Sequence, residues 1–294
     1  MHDRTKVLLL PNAWDAGSAR LFAQRGFAAI ATTSAGVAWS LGYADGEHAP
    51  LAEVLAAIRR MTRVIDVPLT ADIETGFGET PEAVAATVRA VIAAGAVGVN
   101  IEDGMPGHGP LRPIEASSAR LRAAREAADA SGVPIVINAR VDNWMRHDAT
   151  DAATRLADAI QRAKAYLAAG ADCIYPIGLV DRATLAALVQ ALDVPVNVNA
   201  GPGTPDIAEL ARLGIARVST ATRFATLALA AVDQAASAML ESGGFECLAA
   251  KFTYADAQRL FEPRSGAMWR SPPPEVKDER CYTALATALQ RIDA

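Results

Sequence analysis

Apolar and polar positions along the chain follow two alternating rhythms. Short apolar runs rich in β-branched residues occur at 6–12 (KVLLLPN), 27–34 (FAAIATTS), 67–74 (VPLTADIE), 96–103 (AVGVNIED), 134–142 (PIVINARVD), 172–178 (DCIYPIG), 194–200 (VPVNVNA) and 216–221 (ARVSTA). Each has the length and residue types of a buried strand. Between them lie Ala-rich stretches such as TPEAVAATVRAVIAAG, SARLRAAREAADASG and ATRLADAIQRAKAYLAAG, whose apolar residues recur at helical spacing. The punctuation agrees with this reading. Thr80-Pro81-Glu82 and Thr204-Pro205-Asp206 each place a capping residue, then Pro at the first helical position, then an acid in the first turn. Gly26, Gly95, Gly132, Gly170 and Gly214 follow the last helical residues, where left-handed backbone ends a helix.

Strands that alternate with helices predict an α/β fold with a parallel sheet, and about eight such units predict a closed (β/α)8 barrel of the TIM type. A doubly wound open sheet would place a Gly-rich phosphate loop after the first strand, and none is present. We assign residues 1–224 to the barrel core. From 225 to 294 the pattern becomes helical, which predicts C-terminal helices that cap the barrel or are exchanged with a neighbouring subunit.

Composition narrows the class of partner. With 51% hydrophobic and 21% charged residues and a net charge of -5, the chain has a core to bury and carries no basic run for nucleic acid or a membrane surface. Cys173, Cys247 and Cys281 have neither the number nor the spacing of a disulfide framework or thiolate metal site, which points to a reducing cytoplasm. The first apolar stretch is too short for a signal peptide, and no later one is long enough to span a bilayer. A soluble cytoplasmic protein acting on a small molecule is expected.

In such a barrel the reactive groups lie at the C-terminal ends of the strands. The ends here carry Asn12, Asp15, Thr33, Ser34, Asp72, Glu74, Glu102, Asp103, Asn138, Arg140, Asp142, Tyr175, Asn197, Asn199, Ser219 and Arg223. Residues two apart on a strand face the same side, so Asp72 and Glu74 are expected to point together into the barrel mouth. With Glu102 they offer oxygen ligands to Mg²⁺, which uses one or two direct carboxylates and keeps several waters. A metal chelated by a 2-oxo acid would stabilise an enolate as a neighbouring bond breaks, while Arg140 neutralises a carboxylate. The competing reading is that these acids cap helices or form strand-end ion pairs. Cys173 reads as a small buried hydrophobe, Trp14, Trp39 and Trp144 as walls of the pocket or cover for the barrel rim, and GPGTP at 201–205 as a turn.

The segments PNAWDAGSARLFAQRGFAAIATTSAGVAWSLGYADGE, TADIETGFGE, VNIEDG and NARVDNW together resemble the isocitrate lyase and phosphoenolpyruvate mutase superfamily, over roughly residues 6–262. The resemblance implies a (β/α)8 barrel, often a tetramer with an exchanged eighth helix, that binds Mg²⁺ and an α-oxo or α-hydroxy acid. It implies a substrate carboxylate against backbone near Ser34, Ala35 and Gly36, a metal at Asp72, and Asp45, Glu74 and Glu102 reaching that metal directly or through water. Arg140 matches the family's substrate-binding arginine and Asn197 a polar residue facing the ligand; Tyr175 is a further residue within reach of it.

The chain also departs from the family. Lyases that cleave isocitrate or methylisocitrate carry Cys-Gly-His in the loop after the fourth strand, whereas this loop reads EDGMPGHGPLRP, with Pro106 in place of the cysteine. Ile177 stands where a glutamate is expected, and no Asn-bearing gating loop is recognisable. Glu74 replaces a common Asp. His108 on the Gly/Pro-rich loop is a candidate proton carrier near neutral pH, against the competing reading of a solvated surface group; His2, His48 and His147 lack metal-ligand spacing.

The expected function is therefore a Mg²⁺-dependent (or Mn²⁺-dependent) carbon–carbon lyase or decarboxylase acting on a small 2-oxo or 2-hydroxy dicarboxylate, with Arg140, His108 and Asp45 in catalytic roles. The alternatives are a C–P bond enzyme of the phosphoenolpyruvate mutase or phosphonopyruvate hydrolase type and, in a different class, a barrel that binds oxo-acid and metal without turnover. A tetramer or dimer is expected.

Overall fold

The computed structural model describes residues 6–106, 110–145 and 150–262. Nine strand segments lie in chain order: β1 (Leu8–Leu10), β2 (Asn12–Ala13), β3 (Ile30–Thr32), β4 (Leu69–Asp72), β5 (Gly98–Glu102), β6 (Val136–Val141), β7 (Cys173–Pro176), β8 (Asn197–Asn199) and β9 (Arg217–Ser219). The helices are α1 (Ala16–Gln24), α2 (Ser34–Leu41), α3 (Leu51–Val64), α4 (Pro81–Ala93), α5 (Ile114–Ser131), α6 (Ala152–Ala168), α7 (Arg182–Leu192), α8 (Ile207–Arg212), α9 (Arg223–Ser242) and α10 (Tyr254–Phe261).

The eight expected strands are present, the first in two pieces. Pro11 has no N–H to donate and divides it. β1 pairs with β9, whereas β2 pairs with β3, so the ladder falls into a six-stranded sheet β2-β3-β4-β5-β6-β7 and a three-stranded sheet β1-β9-β8. All ladder pairs are parallel. The sheets do not run through as one closed ladder. They meet where the chain passes Pro11 and, on the far side, at the single parallel bridge Ile174↔Val196. Asn12 reinforces the first seam: its Nδ2 donates to the Thr32 carbonyl at 2.7 Å and its Oδ1 accepts from the Thr220 N–H at 2.8 Å.

Alternation along the strands divides their side chains between two environments. Ala71, Val99, Ile101, Ile137, Ala139, Val141, Ile174, Val198 and Val218 join the apolar core under the helices. The opposite set is polar: Asn100, Asn138, Asn197, Arg217 and Ser219 are all buried, where barrel interiors are usually filled by branched aliphatics. They bond to one another around the interior, Asn138 Nδ2 to Asn100 Oδ1 at 2.7 Å, Asn197 Nδ2 to Ser219 Oγ at 3.1 Å and Arg217 Nη2 to Asn100 Oδ1 at 3.4 Å.

Most of the helix punctuation holds. Thr80 caps α4 with Pro81 in its first turn, and the five helix-ending glycines all take positive φ. The cap of α8 differs from expectation: Asp206 accepts the Glu209 N–H at 2.8 Å, while the Thr204 hydroxyl accepts from the Gly201 N–H at 3.0 Å. The helix thus begins two residues later, at Ile207 instead of Pro205, because Thr204 closes the GPGTP turn.

At the C-terminal side, Phe224 packs on Phe22 with ring centroids 5.0 Å apart, and α10 returns to α1, where Arg20 Nε donates to the Leu260 carbonyl at 2.6 Å. Between these anchors α9 stands off the barrel. Ala225 is its one buried residue, and Leu227, Leu229, Val232 and Leu240 are 57–84% exposed. Residues 263–294 of the expected C-terminal helices lie outside the described residues. No helix among the described residues is long and apolar enough to cross a membrane.

Candidate functional site

The ends of β4, β5 and β6 bring the acids and Arg140 together. Asp72 closes β4; its N–H donates to Thr32 Oγ1 at 2.8 Å, and its carboxylate accepts the Ser34 N–H at the start of α2. Glu74 reaches the same place by a route that alternation does not describe. β4 stops at Asp72, and Glu74 lies beyond it with φ +51°, a left-handed backbone that costs a non-glycine residue about 1–2 kcal/mol. Its N–H donates to Asp72 Oδ1 at 3.3 Å and its Oε2 accepts the Glu47 N–H at 2.6 Å.

Arg140 is clamped between two carboxylates. Nη1 meets Glu102 Oε2 at 2.5 Å, while Nε and Nη2 make a bidentate pair with Asp142 Oδ1 and Oδ2, both at 2.8 Å. All three residues are buried. Glu102, expected among the metal acids, and Arg140, expected on a substrate carboxylate, bond directly to each other here, the strand-end ion pair of the competing reading. Asp142 was visible only as a strand-end acid; its pairing arises because β6 ends at Val141 and a 3-10 turn, Asp142–Met145, folds the carboxylate back.

A second layer holds these strand ends. Asp103, fully buried, accepts the Asp142 N–H at 2.9 Å, the Tyr166 hydroxyl at 2.7 Å and Arg162 Nη1 at 3.1 Å. Arg162 and Tyr166 come from α6, four residues apart on one helix face, so this support was hidden in an ordinary amphipathic pattern.

Burial and mutual repulsion dominate the electrostatics. Burial pushes the Glu74 carboxyl up to about 8, with Asp45 and Asp72 adding to the rise. Asp72 is likewise raised by burial, against the pull of Arg140 and with a further push from Asp45. Glu102 rises through burial, opposed by Arg140. Burial alone would lower Arg140, but Glu102, Asp142 and Asp72 together hold it well above its usual value. Burial pushes Tyr175 up to about 12, so its phenol stays protonated beside Arg140 and Ser219.

The start of α2 completes the site. Thr33 caps it, with Oγ1 accepting the Gly36 N–H at 3.4 Å, and the amides of Ser34 and Ala35 open the helix as a positively polarised terminus. Position 36 must be glycine: a Cβ there would lie 2.6 Å from Thr33 Cγ2 and 2.8 Å from Trp14 Cβ.

Other sequence-chosen residues fall as follows. Asp45 sits in the loop after α2, close enough to Asp72 and Glu74 to raise both. Asn197 is fully buried in the barrel interior with its amide on Ser219. His48 is exposed. Cys173 is buried and inert, its thiol pushed up to about 12 by burial. His108 lies outside the described residues.

Among the described residues no three acid, histidine or cysteine side chains converge as a ready-made metal cage. The donor set nonetheless suits Mg²⁺, which needs one or two direct carboxylates and retains water. Carboxylates that raise one another are the groups a divalent cation would relieve.

Residues 1–240 match the family model described as phosphoenolpyruvate phosphomutase. The chain is 38% identical over 186 residues to 2-methylisocitrate lyase of Escherichia coli strain K12, covering 61% of this chain and 60% of that one. A Burkholderia cenocepacia J2315 crystal structure provisionally named a lyase/mutase is 39% identical with a TM-score of 0.82, covering 88% of this chain and 93% of that chain. The structure of 2,3-dimethylmalate lyase, a PEP mutase/isocitrate lyase superfamily member, superposes with a TM-score of 0.76 at 26% identity, covering 88% of this chain and 89% of the other.

Proposed function

The chain belongs to the phosphoenolpyruvate phosphomutase family, and on that premise we propose that it is a divalent-metal-dependent lyase or decarboxylase that breaks a carbon–carbon bond in a small 2-oxo or 2-hydroxy dicarboxylate. The observation that carries this reading is a set of neighbouring acids at one end of the barrel, beside the N-terminus of α2: Glu102 is paired with Arg140, Asp72 lies within electrostatic range of Arg140 and Asp45, and Glu74 within range of Asp45 and Asp72.

In this reading Asp72, Glu74 and Glu102 hold Mg²⁺ or Mn²⁺, with Asp45 in reach through water. When bound, the cation supplies positive charge against the oxygen on which electrons collect as the bond breaks. The turn Ser34–Ala35–Gly36 would receive a substrate carboxylate at the helix N-terminus, the ligand displacing Asp72 from the Ser34 N–H and Thr33 Oγ1 from the Gly36 N–H. Arg140, its plane set by Asp142, presents fixed positive charge. Tyr175 remains protonated and donates a hydrogen bond, and Asn197 backs Ser219 behind it. His108, from the loop after β5, carries the proton that a cysteine carries in related lyases. Pro106 at the cysteine position favours decarboxylation of an oxaloacetate-like acid, a reaction that needs no loop cysteine, the enolate left as CO₂ departs taking its proton from His108. The same position keeps C–P chemistry as the second reading.

The exposed apolar face of α9 supports a homo-oligomer, a dimer or tetramer. A cytoplasmic setting is part of this reading, drawn from the free thiols of Cys173 and Cys247 and the small-molecule site.

The test is release of pyruvate, glyoxylate, CO₂ or phosphate from oxaloacetate, isocitrate, methylisocitrate, 2-alkylmalates and phosphonopyruvate, with Mg²⁺ and with chelator. Metal-dependent oxo-acid or CO₂ without phosphate is expected, and it should vanish in Asp72→Ala. Phosphate from phosphonopyruvate would instead establish the C–P reading, and ligand binding without any product would establish a binding role. Unchanged turnover in Asp72→Ala would sink the metal mechanism.

A further inference from the structure

Two loops meet over the acid cluster, and one side chain ties them. Glu47, in the loop between α2 and α3, has φ +62°, and across from it Glu74 and Phe77 have φ +51° and +52°. Three non-glycine residues thus hold left-handed backbone within two facing turns, a conformation that persists only where surrounding bonds over-determine it. Glu47 makes those bonds. Its N–H donates to Glu74 Oε2 at 2.6 Å, and its Oε1 accepts both the Thr75 hydroxyl at 2.7 Å and the Phe77 N–H at 2.9 Å. A glycine would hold the same φ without strain but could not reach across.

The geometry points to Glu47 as a positioning residue for cation binding: it holds Glu74 by one oxygen, leaving the other to turn toward the cluster, and locks the loop that carries Asp45 against the turn at 75–77. This inference rests on the metal reading above. Glu47 does not itself contact the cation; it acts through Glu74 and Asp45, as partners behind direct ligands do in metal sites generally. The acceptor geometry, and not the negative charge, is what the turn requires, since both of its donors to Glu47 are neutral groups.

The test uses the full chain, with Mn²⁺ as the probe and free Mn²⁺ measured by electron paramagnetic resonance. Glu47→Gly keeps the backbone unstrained while removing the side chain, and Glu47→Gln keeps a carbonyl oxygen for Thr75 and Phe77. We expect Glu47→Gly to weaken Mn²⁺ binding at least about 10-fold with its thermal midpoint retained, and Glu47→Gln to bind within about threefold of the unaltered chain. Binding undiminished in Glu47→Gly overturns this inference alone. Equal losses in both variants overturn it in favour of a charge effect. Absence of Mn²⁺ binding in the unaltered chain overturns the metal reading and this inference with it.

Discussion

Replacing Glu74 by Gln tests the electrostatics of the site without requiring a substrate. Glu74 is 6% exposed, and its carboxyl is pushed from 4.5 to about 8 by burial, Asp45 and Asp72. The sign follows from linkage. The folded carboxyl keeps its proton to a higher pH than the unfolded one, so the stability it contributes is fully present below about pH 4.5 and is lost as pH rises toward about 8. At about 1.4 kcal/mol per pH unit the full difference is about 5 kcal/mol. Relaxation and effective screening reduce it to about 2–3 kcal/mol. Gln is isosteric, cannot ionise, and can still accept the Glu47 N–H, so Glu74→Gln should remove the pH-dependent loss and little else. In metal-free buffer its thermal midpoint should equal that of the unaltered chain near about pH 5 and exceed it by roughly 3–5 °C near about pH 8.5. Saturating Mg²⁺ should reverse the order at the higher pH, because the carboxylate then has a counter-charge. Two midpoint curves that run parallel across this pH range without metal would refute the argument that Glu74 is raised in the folded state.

Gly36→Ala forces a methyl into 2.6 Å contact with Thr33 and 2.8 Å contact with Trp14; we expect a stability loss of about 1–3 kcal/mol and weaker oxalate binding by calorimetry, and an unchanged melting midpoint would contradict the packing. His108→Ala should leave oxalate and Mn²⁺ binding intact while lowering turnover by about 10²-fold or more, whereas full activity would remove His108 from the mechanism. Leu229, Val232 and Leu240 share one exposed face of α9 at helical spacing. Changing all three to Ser should shift the sedimentation profile to a smaller species, and a monomeric unaltered chain would show that this face has no partner copy.

The periodicity of the chain was sufficient for the alternation of strand and helix, most helix ends and the parallel α/β class, because these depend on neighbours a few residues apart. Helix-ending glycines and the Thr80-Pro81 start are local solutions to orphan backbone groups, and local sequence shows them. The strand-end acids and Arg140 were legible for a related reason: in this architecture the ends of the strands are where unpaired polar groups collect. Their partners were not legible. Glu102 and Asp142 on Arg140, Tyr166 and Arg162 on Asp103, and Arg217 reaching Asn100 from β9 all depend on which strands stand side by side and in what register. Such contacts span 2 to 117 positions with no common spacing. Pro11 was visible as a residue, but its division of the first strand between two sheets needed both neighbours in place. Glu74 shows the difference most directly. From sequence it is the second acid of an alternating strand; in the fold the strand has already ended, and a left-handed turn braced by Glu47 delivers the carboxylate, because tertiary hydrogen bonds outweigh a local backbone preference of about 1–2 kcal/mol. The chain alone determined which groups the site contains; only the closing of the loops and strand ends around it decided which group each one faces.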